Sequence, residues 1–283
     1  MERPALRLVV SECVWSSGRW VSRWASVNGQ AAPGVTLAQA GRSGERSTVH
    51  PSGDRSGLGG THRLRSRQLP TDPTDHPIDP AIPTEILDQL GAIEAEHQVR
   101  VLYACESGSR GWGFASPDSD YDVRFLYVHA LPWYLQVTPG RDVIERPLTA
   151  VLDINGWELR KALGLLKKGN ATLIEWLDSP VVYRAEPVFL DALRTLAHEI
   201  QQPERSFHHY VHMARRNHRE FLTRERVRLK KYLYVLRPLL ATLWIEQGRG
   251  PAPTRFATLV EALIGDPALR AAIDALLRIK RSA

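Results

Sequence analysis

The chain has 283 residues, 43% of them hydrophobic, with two cysteines (Cys13 and Cys105) and a formal net charge of +6. That is enough apolar content for a real core in one large or two small domains. Two cysteines are too few for a disulfide framework, which fits a reducing cytoplasm. No apolar run approaches the roughly 18–20 residues that span a membrane, so no membrane partner is expected. The excess charge is confined to residues 1–69, which hold ten Arg and no Lys against Glu2, Glu12, Glu45 and Asp54; the rest has 27 basic and 27 acidic residues. A nucleic-acid reading therefore cannot rest on the overall charge.

Taken in order, residues 1–69 carry ten Ser and nine Gly with no sustained period of 2 or 3.6, and read as a disordered extension, with a basic tail that binds nucleic acid as the alternative. Glu12 breaks the short apolar stretch near Val9, which argues against a secretory signal. Prolines 70, 73, 77, 80 and 83 mark a linker. Thr84 is placed to cap a helix whose apolar stripe is Ile86, Leu87, Leu90 and Ile93. A strand follows over 99–104, a loop with a short helix over 106–119, a second strand over 121–128, and a strand pair over 142–145 and 149–154. Beyond that the pattern is helical, over 157–168, 171–177, 187–200, 207–221, 227–246, 256–263 and 267–279. The expected architecture is α+β: a small mixed β-sheet domain over 76–155, then a helical bundle over 156–283, behind a disordered extension and linker over 1–75.

Residues 105–123 carry the chemistry. Gly108-Ser109 follows the first strand, and a small turn there lets backbone N–H groups and a hydroxyl approach phosphate oxygens. Arg110 is placed to add a charge-assisted bond. After a gap of ten residues comes Asp120-x-Asp122; in a strand the two carboxylates point to one face, where their oxygens can hold hard divalent cations. A calcium loop beginning at Asp118 is rejected, because its sixth and twelfth positions are Val123 and His129. Glu106 stands beside the turn, as a site carboxylate or a surface acid. Trp112 and Phe114 read as core aromatics rather than base-stacking platforms.

The Gly-Ser, gap, Asp-x-Asp pattern resembles the signature of the DNA polymerase beta-like nucleotidyltransferase superfamily. Glu106–Arg110, Trp112–Arg124, Leu152–Trp157 and Lys230–Leu240 are similar to the bacterial and phage family named for an RNA repair pathway. The likeness runs from about Arg100 to about Glu261. It departs at Gly111, where Ala is expected in most relatives. The resemblance implies a third carboxylate that positions and helps deprotonate the attacking hydroxyl; Asp153 is the choice, ahead of Asp142 and Glu145. It implies Mg²⁺ or Mn²⁺ on Asp120, Asp122 and Asp153, and a nucleoside triphosphate as substrate.

Residues 205–237 hold ten basic side chains against Glu220 and Glu225. In the superfamily a helical domain closes over the triphosphate with Lys and Tyr, which nominates Lys230, Lys231, Tyr234 and Arg237. The same charge could instead track an RNA backbone. His208 and His212 share a helix face, but His209 stands where the glutamate of a His-Glu-x-x-His metalloprotease would be, so zinc is set aside. The expected activity is transfer of a nucleoside monophosphate to an acceptor hydroxyl. An RNA 3′ end is the acceptor that the family name implies; a protein partner, as in adenylylating antitoxins, is the alternative. A non-catalytic nucleic-acid-binding or interaction protein is the reading from another class.

Overall fold

The structure, a computed structural model, describes the backbone of residues 8–16 and 19–26 and residues 78–282 except 150 and 224. The chain divides into two units, residues 1–67 and 68–283. In the first, β1 (Leu8–Ser16) and β2 (Arg19–Ser26) pair antiparallel, from Leu8 opposite Ser26 to Ser16 opposite Arg19. Two strands alone are marginal in water. The remainder of the segment expected to be disordered, and most of the linker, lie outside the described residues.

The second unit opens with α1 (Ala81–His97). It starts before Thr84: its N-cap is Pro80, without a side-chain cap, and the Asp79 carboxylate accepts from the N–H of the first helical residue, Ala81, at 2.9 Å. Its stripe of Ile86, Leu90 and Ile93 is fully buried, and Gln98 ends it in the left-handed conformation. Then come β3 (Val99–Glu106), the single turn α2 (Gly108–Trp112), β4 (Tyr121–His129), α3 (Leu131–Tyr134), β5 (Val143–Glu145) and β6 (Leu152–Glu158). The last of these begins later than the expected 149–154 strand. Thr149 Oγ1 accepts from the Leu152 N–H at 2.8 Å, and the strand begins only at Leu152.

The Glu158 carboxylate then caps α4 (Leu159–Lys167), accepting from the Arg160 N–H at 2.7 Å. It is followed by α5 (Ala171–Leu177), β7 (Val182–Ala185) and α6 (Pro187–Glu199). The five strands order as β5-β6-β4-β3-β7, with β4 and β6 parallel and the other pairs antiparallel. The edge strand β7 has no counterpart in the sequence pattern: four half-exposed residues between helices carry no alternation to read.

The sheet is covered on both faces. Val99, Val101, Ala104, Val123, Phe125 and Ile154 pack with the α1 stripe. A register irregularity between Val101 and Tyr103 reverses the alternation of β3, so Tyr103 and Cys105 join Leu126, Leu166, Leu173 and Leu193 on the other face. The expected domain boundary at 155/156 falls inside β6, and β7 returns from beyond it to complete the sheet.

The bundle is α7 (Pro203–Asn217), running into a π-helical turn (His218–Leu222), then α8 (Lys230–Glu246), α9 (Phe256–Leu263) and α10 (Pro267–Arg281). Phe207 and Tyr210 of α7 and Leu233, Leu240 and Ala241 of α8 are buried. Among the described residues no helix is long and apolar enough to cross a membrane.

Candidate active site

The site forms where β3 ends and β4 begins. The Ser107 N–H donates to the Asp122 carbonyl at 2.8 Å, so the chain leaving β3 is still tied to β4 as it enters the Gly-Ser turn. Gly108 has φ +55°, and a Cβ there would lie 1.9 Å from Asp122 Oδ2. Only glycine meets both demands. The turn and the carboxylate are thus in direct apposition, as the spacing of the motif anticipates. Ser109 is buried within the turn. We expect Gly108→Ala to fold, because the strain is local, yet to lose about 10- to 100-fold in turnover through a displaced Asp122 carboxylate. Steady-state kinetics beside a melting curve checks this.

Asp122 and Asp153 are register partners across the parallel pair of β4 and β6. One guanidinium bridges them: Arg124 Nη2 donates to Asp122 Oδ1 at 2.9 Å and to Asp153 Oδ2 at 2.8 Å. Its Nη1 donates to the Asp153 and Val123 carbonyls. Arg124 lies two residues after Asp122, so the period of two in the strand puts it on the same face as the carboxylate. Asp120, just before the strand, is exposed. Burial pushes the Asp122 carboxyl up to about 6; Arg124 opposes the shift, and Asp120 and Asp153 add to it.

Glu106 is fully buried rather than a surface acid. It accepts from the Asp122 N–H at 2.8 Å and from the Tyr183 hydroxyl at 2.5 Å, and burial raises its carboxyl to about 7. Its place is under Asp122, anchoring the backbone of that residue. Asp142 pairs with Lys161 and Glu145 with Arg141, so neither is joined to the Asp122–Asp153 pair.

The donors available to a cation are all carboxylate oxygens, the chemistry a hard divalent ion takes. Asp122 and Asp153 already share one positive group, and they fit such an ion if Arg124 moves off them. Among the described residues no three Asp, Glu, His or Cys side chains converge into a metal-holding cluster. The expected triad is therefore brought together as a pair, with Asp120 nearby.

The Arg110 side chain is taken up by the loop that follows it. Its Nη2 donates to the Ser119 carbonyl at 2.6 Å, its Nε to the Asp120 carbonyl at 3.3 Å, and its guanidinium stacks 3.8 Å over the Tyr121 ring. It braces the loop before Asp120.

From the bundle, Tyr234 reaches the site: Asp122 and Asp120 add to the effect of burial in raising its hydroxyl pKa, and its ring meets Trp112 at 5.9 Å. The Lys231 ammonium lies over the rings of Phe221 and Tyr234, at 3.6 and 5.1 Å. Lys230 is close enough to Asp118 to help hold that carboxyl below its usual range, behind the hydrogen bond from Ser116.

Arg237 corrects the expectation of a phosphate contact. It is 1% exposed and pairs with Glu175 at 2.9 Å. Glu175 also accepts from the Tyr210 hydroxyl at 2.7 Å and from Trp112 Nε1 at 3.2 Å. Phe114 is a fully buried core aromatic, as read from the sequence, whereas Trp112 is only half-buried. Sequence reasoning missed Lys280, which arrives from the last turn of α10 and donates to the Ser116 and Ser119 hydroxyls. Nothing local marks a residue more than 160 positions away.

A Gly-Ser turn against an Asp-bearing strand, on a mixed sheet with helices on both faces and a helical bundle behind, defines a nucleotidyltransferase-like protein. The chain matches the RNA repair pathway DNA polymerase beta family over residues 82–283 and belongs to it. It is 49% identical over 196 residues to the uncharacterized protein YcgL of Bacillus subtilis (strain 168), covering 69% of this chain and 75% of that one. A crystal structure of a nucleotidyltransferase-like protein from Exiguobacterium sibiricum 255-15 is 15% identical, with coverage of 69% of this chain and 73% of that one and a TM-score of 0.28.

Proposed function

We propose that the protein transfers a nucleoside monophosphate from a nucleoside triphosphate to an acceptor hydroxyl, with an RNA 3′ end as acceptor. The observation that carries this is the apposition of Gly108 and Asp122, with Asp153 in register beside them. The Gly108-Ser109 turn would bind the triphosphate through backbone N–H groups and the Ser109 hydroxyl. Asp153, whose side chain is 37% exposed, is open to the acceptor and would take its proton as the hydroxyl oxygen bonds to the α-phosphorus. Pyrophosphate leaves with the electrons of the broken bond. Mg²⁺ or Mn²⁺, when held by Asp120, Asp122 and Asp153, supplies charge stabilisation to the phosphate oxygens. Arg124 would have to release the carboxylates, and its guanidinium is then free for a phosphate oxygen.

An RNA acceptor is supported by the family and by the exposed Arg215, Arg216, Arg219, Arg226 and Arg228 leading towards Lys230. The test is incubation with each labelled nucleoside triphosphate, Mg²⁺ and either total RNA or protein lysate. Label in RNA supports the proposal. Label in a protein turns it to the adenylylating alternative, and label in neither, with every triphosphate, counts against transfer altogether.

Replacing Lys230 and Lys231 together with Met should raise the nucleotide KM several-fold, because both lie on the α8 turn nearest Tyr234 and the Asp118 loop. Unchanged KM with weaker RNA binding would place them on the RNA instead. The slope of log affinity against log salt would then shrink by about 0.7 per lost phosphate contact on a single strand.

A further inference from the structure

The last turn of α10 ends against the loop that carries Asp120. Lys280 is only 7% exposed, and its hydrogen-bond partners are hydroxyls: its Nζ donates to Ser116 Oγ and, at 3.2 Å, to Ser119 Oγ. The neighbouring Arg281 donates to the Gly113 carbonyl at 3.1 Å. Burying an ammonium is expensive unless the surroundings repay it with hydrogen bonds and opposite charge. Here Asp118 and Asp120 supply opposite charge, while Lys230 and Arg110 oppose it, and burial lowers the Lys280 pKa.

The receiving loop has no regular structure between α2 and β4. It is held from within by the Ser116 N–H donating to Ser119 Oγ at 3.0 Å and by Arg110 on the Ser119 carbonyl. Lys280 joins both serine hydroxyls from outside, and Ser119 directly precedes Asp120. Pro117, Asp118 and Asp120 are exposed, so little packing fixes their positions.

We propose that Lys280 is a positioning residue for nucleotide transfer: held between Ser116 and Ser119, it locks the loop so that Asp120 stays beside the Asp122–Asp153 pair. The C-terminal helix is then part of the active site, although it lies far from the motif in sequence. The catalytic readout of this inference rests on the function proposed above; the loop readout does not.

The experiment compares Lys280→Met, the pair Ser116→Ala with Ser119→Ala, and the combination of all three, with Arg278→Met on the exposed face of α10 as control. Lys280→Met should lower kcat by about 10- to 100-fold, the scale of a misplaced catalytic group, with nucleotide KM within about twofold. The combined variant should be no worse than the serine pair, because Lys280 acts through those hydroxyls. Amide hydrogen exchange should quicken over 114–121 in Lys280→Met and in the serine pair, and not in Arg278→Met. A raised KM with unchanged kcat would overturn the proposal and make Lys280 a direct phosphate ligand. A lower melting temperature with both constants unchanged would reduce it to a helix anchor. Should the wild type transfer no nucleotide, the proposed function fails by itself; unchanged exchange over 114–121 in Lys280→Met would still sink the latch independently.

Discussion

Asp122→Asn is expected to abolish nucleotide transfer while leaving the protein folded and more stable at pH 8. Asp122 sits where the phosphate-binding turn, β4 and β6 meet, and its carboxylate touches the space a Gly108 side chain would fill. An amide keeps the shape and the bond from Arg124 but removes the negative charge that attracts a divalent cation. Loss of metal-centred charge stabilisation in phosphoryl transfer is worth several kcal/mol, which at about 1.4 kcal/mol per tenfold is a drop of roughly a thousandfold or more. Asp120→Asn should fall in the same direction. The stability change has a definite sign. Burial raises the Asp122 pKa in the folded protein from 3.8 to about 6, so the folded state holds the proton more tightly than the unfolded one. Ionising Asp122 therefore costs stability, a cost that grows as pH rises from about 4 and is complete above about 6. Asn removes it. The melting temperature of the variant should exceed that of the wild type at pH 8, and the difference should vanish below pH 4. Turnover within tenfold of wild type at saturating Mg²⁺ would falsify the assignment of Asp122.

The contrast between what the sequence revealed and what it hid follows contact distance. Gly108, Ser109, Asp120 and Asp122 form a local motif, and its constraint is local: a positive φ at Gly108 set against a carboxylate on the next strand. Asp153 was reachable only through the family resemblance, which implies a third carboxylate; its register opposite Asp122 is set by the β4–β6 pairing. Glu106 was ambiguous, since a charged residue at a strand end is as often surface as core; only the packing of Tyr183 over it decides. Arg237 and Lys230 look alike in sequence, two basic residues two turns apart on a helix with apolar neighbours. Which of them turns inward depends on Glu175, a residue from a helix more than 60 positions earlier. Lys280 depends on still longer closure. At Gly111, where the family resemblance leads one to expect Ala, a Cβ would lie 2.9 Å from the Glu106 carbonyl oxygen. An alanine requires the turn to shift against that backbone oxygen.

The second large effect is expected on stability rather than chemistry. Arg237→Met removes the cation from a buried network in which Glu175 also receives Tyr210 and Trp112, while Arg237 Nε donates towards the Thr254 carbonyl at 3.4 Å. The guanidinium also lies 4.6 Å from the centre of the Trp112 ring. A buried pair is a weak source of stability when intact, because desolvation offsets the attraction, but breaking one side strands the other charge at a cost of about 3–5 kcal/mol. For a chain of this size that corresponds to a fall in melting temperature of roughly 2–4 °C per kcal/mol. Adding Glu175→Gln should recover part of the loss, because the amide oxygen can still accept from Trp112 Nε1, its NH2 can donate to the Tyr210 hydroxyl oxygen, and no net charge remains buried. The folded fraction of either variant should bind nucleotide with a KM within about twofold of wild type, since Arg237 is only 1% exposed and its guanidinium is engaged by Glu175. Melting curves of the single and double variants, read beside KM, check all of this. If Arg237→Met melted with the wild type and raised the nucleotide KM, the network reading would be overturned and the phosphate contact first expected of Arg237 would stand.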